Sequence, residues 1–147
     1  ACNMRLRKTD KKLGQGFSLI ELLVVLVILG MLGGLVGPRL FDQVDSSSVK
    51  IAQNQVRMLK SALQTYRLDV GRFPSTSEGL ASLIAKPRGV ERWRGPYLDD
   101  LLPVDPWGAP YVYVDKADNF QGFALYSRGA DGVDGGEGLD ADVGFVP

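Results

Sequence analysis

The sequence predicts an α+β protein: a long amino-terminal helix packed on a small antiparallel sheet, followed by a carboxy-terminal loop suited to calcium. Three observations carry this reading. Residues Gly16 to Met31 read GFSLIELLVVLVILGM, an apolar run broken by a single carboxylate, Glu21. Further on, Ala52, Val56, Leu59, Leu63, Tyr66 and Val70 recur at alternating intervals of four and three, the period of an amphipathic helix. Tyr111-Val-Tyr-Val114 and Phe120 to Tyr126 are rich in β-branched and aromatic residues, and a run of glycine and aspartate comes after them.

The first segment is a basic leader, residues 1–16, with Arg5, Arg7, Lys8, Lys11 and Lys12 against Asp10. Lysine and arginine ahead of an apolar span are retained on the cytoplasmic side, which places the rest of the chain outside, in a periplasm or beyond. Five of the 17 basic residues and one of the 17 acidic residues precede Phe17, so the remainder carries an excess of four acids and has no basic field for nucleic acid. The one cysteine, Cys2, is an uninformative leader residue. No thiol remains downstream to close a disulfide, so another force must hold the head together. Met4 is a candidate start.

Phe17 to Val36 are 20 residues with one ionised side chain, enough to cross a hydrocarbon core of about 30 Å. A plain single-pass anchor has the same composition. A secretory signal, however, is cut after its apolar core, whereas here the small residue Gly16 sits before it. Cutting at Gly16 leaves the apolar segment on the mature chain. A carboxylate inside a membrane costs about 2.5–3.5 kcal/mol at mid-depth on insertion scales, so Glu21 needs a partner or a favourable place. The first turn of a helix is such a place, because its dipole end is positive, and snorkelling to the interface is the alternative.

Gly33, Gly34, Gly37 and Pro38 weaken a helix, and a bend, local melting or a simple boundary is expected there. The amphipathic stripe then lies on the sheet, and Gly71 with Pro74 stops it. An unbroken helix from Phe17 to Val70 would extend about 80 Å at 1.5 Å per residue, more than one small head can bury. Ser75 and Glu78 form an S-x-x-E capping box that opens a second helix from about Thr76 to Ala85, ended by Lys86-Pro87. Arg88 to Pro96 is a surface loop. In Asp105-Pro-Trp-Gly108, Trp107 is expected to cover the sheet edge, with Trp93 the weaker core candidate. Two strands are marginal alone, so a third short strand is expected beside them.

The terminal run holds Asp131, Asp134, Glu137, Asp140 and Asp142 among glycines, with too few apolar residues to pack by itself. Calcium accepts six to eight oxygen ligands in flexible geometry, and glycines let carbonyls join carboxylates around one centre. A flexible acidic tail is the other reading. The run fits no EF-hand, and Gly135 to Asp140 matches one nonapeptide-type unit without its repeats.

Gly16, Phe17 and Glu21, with Ser18-Leu-Ile20 between, resemble the class III signal of the type IV filament superfamily. Leu102-Pro-Val-Asp-Pro-Trp-Gly-Ala-Pro-Tyr111, Tyr126-Ser-Arg-Gly-Ala-Asp-Gly132 and Asp140-Ala-Asp-Val-Gly144 look like the major, G-type pseudopilins of the type II secretion system. The resemblance runs from Gly16 nearly to the carboxyl end, including Tyr66 to Pro74 and Glu78-Gly-Leu80. It implies a type IV pilin-like fold with three parts: a leader, 1–16, removed after Gly16 by a prepilin peptidase that methylates Phe17; a transmembrane and filament-core helix, 17–41; and a periplasmic head, 42–147. It also implies that Glu21 neutralises a neighbouring subunit's amino terminus, and that Asp131, Asp140 and Asp142, with the main-chain carbonyl of Arg128, hold a calcium ion. Asp134 and Glu137 are then left to solvent.

By the same resemblance the chain is a structural subunit held in the bacterial inner membrane before assembly. It joins a homo-oligomeric periplasmic filament with minor pseudopilins, on an inner-membrane platform, and that filament drives folded proteins through an outer-membrane channel. No enzyme is expected: the chain has no histidine, and no nucleophile elbow, phosphate loop or zinc spacing. The alternatives are a type IV pilin for adhesion, motility or DNA uptake, and a membrane-tethered calcium-dependent enzyme or sensor.

Overall fold

The computed structural model describes Gly14 and residues 16–147; Cys2, Met4 and the basic leader residues lie outside the described residues. Its first element is helix α1, Leu19–Val70, and the chain divides into two compact units between Leu40 and Phe41.

In the first unit every described side chain from Leu19 to Val36 is exposed. This stretch is long and apolar enough to cross a membrane, and none of it is buried. The glycine and proline cluster does not melt: residues 33–38 are helical and Pro38 lies inside α1. Proline removes one backbone donor, at a cost of about 3 kcal/mol, but the i→i−4 bonds on either side survive.

In the second unit the stripe is buried as its spacing requires. Ala52, Val56, Leu59, Leu63 and Tyr66 are all inaccessible, and Val70 packs at the edge of the same cluster. Gly71, at φ 91°, ends the helix with its N–H on the Arg67 carbonyl at 2.8 Å, a conformation only glycine adopts without strain. The capping box closes as expected: Ser75 N–H donates to Glu78 Oε2 at 2.7 Å, and Glu78 N–H donates to Ser75 Oγ at 3.2 Å. The expected helix from Thr76 to Ala85 does not form behind it. The chain instead makes a series of turns and a 3₁₀ segment, Leu80–Leu83, because Gly79 at φ 62° breaks the right-handed run.

The sheet has three antiparallel strands in the order β1 (Val112–Asp115), β2 (Phe123–Ser127) and β3 (Val143–Phe145). Tyr113 pairs with Leu125, which pairs in turn with Phe145; at the other end of β2, Ser127 pairs with Val143. The expected third strand thus exists, directly after the last residue of the acidic run, Asp142. All five residues of the central strand are buried, and Phe123 and Leu125 meet Leu59, Leu63 and Tyr66 in one core. Phe73 stands edge-on to Phe123 at 4.8 Å between ring centroids.

The tryptophans reverse their expected ranks. Trp93 packs against the core, donates its indole N–H to the Ser82 carbonyl at 2.7 Å and meets Tyr97 edge-on. Trp107, half-buried like Trp93, is not among the side chains packed on that core. The carbonyl of buried Ser82 gives the half-buried indole N–H its acceptor.

Candidate processing, assembly and metal sites

The amino-terminal site is built by the start of α1. Ser18 caps it: its hydroxyl accepts the Glu21 N–H at 3.2 Å and its carbonyl the Leu22 N–H at 3.2 Å. Ser18-x-x-Glu21 is an S-x-x-E pattern, a signal that could have found this cap and was not read as one. Gly16 and Phe17 precede the helix, exposed and outside regular secondary structure. A Cβ at Gly16 would meet nothing within 4 Å, so packing within this chain does not require glycine there. Glu21 lies in the first turn, where the helix dipole favours a negative charge. Phe17, Glu21, Leu22 and Val25 together border a surface hollow of about 250 Å³.

The acidic loop is less simply arranged. Asp131 Oδ1 accepts the Val133 N–H at 3.0 Å, closing a local turn. Asp142 Oδ2 accepts the Gly135 N–H at 2.9 Å, while its Oδ1 is buried without a hydrogen-bond partner. Asp140 ends a 3₁₀ turn, Gly138–Asp140, and is exposed. Among the described residues no three acidic side chains gather closely enough to form a metal cluster, so Asp131, Asp140 and Asp142 are not brought together as carboxylates. The backbone is closer knit. Gly129, at φ 72°, lies so close to the Leu139 and Ala141 carbonyls that a Cβ would come within 2.8 Å of the first and 2.7 Å of the second. Ala130 N–H also donates to the Leu139 carbonyl at 3.0 Å.

Asp134, expected in solvent, is engaged despite its exposure. Arg128 Nε donates to its Oδ1 at 2.7 Å and the Tyr126 hydroxyl at 3.0 Å. The Arg128 hydrogen bond, and then that of Tyr126, hold the Asp134 carboxyl below the usual range. Thus the Arg128 side chain serves Asp134. Glu137 is exposed, as expected.

Two further groups escaped the sequence reading. Asp105 is 3 % exposed; its Oδ1 accepts the Trp107 and Ala109 N–H groups, and its Oδ2 accepts the Ser127 hydroxyl at 2.6 Å. Asn119 ties the hairpin to the chain's end, donating to the Phe123 and Val146 carbonyls at 2.9 and 2.8 Å. Both link residues more than 20 positions apart, where local pattern has no signal.

Two family models match the chain so arranged. Residues 39–146 match the type II secretion system protein G family, and residues 11–37 match the prokaryotic N-terminal methylation motif. The chain belongs to the type II secretion system protein G family. It is 44% identical over 133 residues to core protein G of Pseudomonas aeruginosa, covering 88% of this chain and 92% of that one. Core protein G of Vibrio cholerae is 39% identical over 132 residues, covering 88% and 89%. The crystal structure of the major pseudopilin from the type 2 secretion system of enterohaemorrhagic Escherichia coli superposes with a TM-score of 0.58 at 32% identity, covering 72% of this chain and 92% of that one. Along the chain the two matches meet at the glycine and proline cluster, between residues 37 and 39.

Proposed function

We propose that this chain is the major subunit of the type II secretion pseudopilus, a periplasmic filament whose growth exports folded proteins through the outer membrane. The observation that carries the reading is an apolar stem with all its side chains exposed, joined to a head of the protein G family. A stem of that kind must be covered by lipid or by other copies. Before assembly it spans the inner membrane with its head in the periplasm, and minor pseudopilins and an assembly platform are its partners. A prepilin peptidase cuts after Gly16 and the new terminus at Phe17 is methylated. Glu21 then supplies a carboxylate at the membrane-facing end of each stem, and a neighbour's terminal ammonium is its partner.

Calcium is the proposed organiser of the acidic loop. The unpartnered buried Oδ1 of Asp142 supports it, since a carboxylate oxygen can only accept and its burial demands a donor or a cation. Asp142 with the Arg128 carbonyl would hold the ion, Asp131 and Asp140 would have to close in on it from their separate positions, and the carbonyls that crowd Gly129 would be further oxygen donors. When bound, the ion supplies a cross-link between acceptors that otherwise repel one another.

The deciding experiment is the amino-terminal sequence of protein from its native membrane, with and without prepilin peptidase. Phe17, methylated, is expected in the first case and residues 1–16 intact in the second. A terminus independent of the peptidase overturns the reading and favours a tethered enzyme. Loss of the gene should also leave exoproteins trapped in the periplasm; loss of surface adhesion or motility with export intact would favour a type IV pilin instead.

A further inference from the structure

We propose that Asp105 is a positioning residue for the calcium loop, acting through the Ser127 hydroxyl on the backbone of Gly129; this rests on calcium being the loop's organiser. Asp105 and Ser127 are 3 % and 0 % exposed, yet they carry a carboxylate and a hydroxyl into the interior, where such groups are kept only when satisfied. Asp105 Oδ1 accepts the Trp107 N–H at 3.1 Å and the Ala109 N–H at 2.8 Å, which fixes the carboxylate on its own turn. That turn is closed by Gly108 N–H on the Asp105 carbonyl and Asp105 N–H on the Ala109 carbonyl, at 3.0 and 2.8 Å. The remaining oxygen, Oδ2, accepts the Ser127 hydroxyl at 2.6 Å, and Ser127 Oγ accepts the Gly129 N–H at 3.2 Å.

The far end of this relay is where the Leu139 and Ala141 carbonyls of the loop close on Gly129. Ser127 pairs with Val143, the neighbour of Asp142, so anchoring Ser127 anchors the strand that presents the unpartnered Asp142 oxygen. Gly129 is in van der Waals reach of the Leu139 and Ala141 carbonyls, and no other residue fits at φ 72° against them. A rotation of the Ser127 to Gly129 corner would therefore displace one wall of the loop against the other. Outer partners of this kind orient metal ligands without touching the ion, and losing one weakens binding by about 10–100-fold.

The test uses the full-length chain in detergent, titrated with calcium by calorimetry well below its melting temperature, and hydrogen exchange of the calcium-free protein at Gly129. Asp105→Ala and Ser127→Ala should each raise the calcium Kd by about 10–100-fold and speed Gly129 exchange before any calcium is added. Asp105→Asn keeps an acceptor for Trp107 and Ala109 and turns an amide donor to Ser127 Oγ, which still accepts from Gly129. Its Kd should stay within a few-fold of wild type, rescuing what alanine loses. A merely structural role predicts lower melting temperatures with the calcium Kd unchanged, and that result in Ser127→Ala or Asp105→Ala overturns the inference while leaving the calcium reading intact. Absence of calcium binding in the wild type overturns both.

Discussion

Glu78 shows how one side chain can make the head's stability follow pH. Arg72 grips it with two hydrogen bonds, at 2.7 and 2.8 Å, and this contact first, with the Ser75 N–H also helping, holds its carboxyl down at about 2 against the ordinary 4.5. A depressed folded value stabilises the head above the unfolded one: the contribution is full above about pH 4.5 and is lost as pH falls from there towards 2. Arg72 is half exposed, so solvent screens the pair, and Glu78→Gln should cost only about 1–2 kcal/mol at pH 7. Melts of wild type and variant should converge as the pH is lowered to 2; a gap that persists there refutes the assignment. Glu21→Gln poses a different question. It leaves the Ser18 cap and the Gly16–Phe17 bond untouched, so cleavage should proceed while filament yield and export fall sharply, as counted by electron microscopy and by exoprotein in the medium. The pairing of Ser75 with Glu78 was legible in the sequence because a cap is a local event. Asp105 with Ser127 was not, because the two stand 22 positions apart and meet only once the chain between them has folded.

Among the elements, β3 depends most on its backbone. Gly144 sits at φ 134°, facing the Leu125 carbonyl and the Tyr126 backbone so closely that a Cβ has no room. Gly144→Ala should cost at least about 1–3 kcal/mol and detach the strand, seen as faster amide exchange across Val143–Phe145 with β1 and β2 still protected. Leu63→Ala tests the other layer, since its side chain is fully buried between helix and sheet; about 2–5 kcal/mol should be lost in denaturant unfolding. The stripe of α1 was readable because its period keeps returning to one face. The third strand was only an expectation without an address: three residues around a glycine have no period, and they become a strand because the open edge of β2 offers partners. The second helix failed for a similarly local reason, a glycine held left-handed where the cap pattern promised a right-handed turn.

For the whole molecule, the head has no disulfide to close its terminal loop, and calcium should substitute for one. Adding calcium at 100 times its Kd should raise the head's stability by about 2.7 kcal/mol, and a chelator should reverse the shift in a melt of the full chain. An unchanged melt sinks the metal assignment, including Asp131 and Asp140. The division into apolar stem and folded head was legible from composition, whereas the loop's inner contacts were not, since aspartate and glycine fit many closed loops equally well. The exposed Leu19 to Val36 surface has one more consequence. Hydrocarbon tails are as apolar as leucine, so exchanging lipid neighbours for protein ones yields no hydrophobic gain. If the chain assembles as proposed, the bilayer would be a depot from which stems are drawn and to which they return at little net expense. In the proposed filament, the direction of that traffic would have to be imposed by external work.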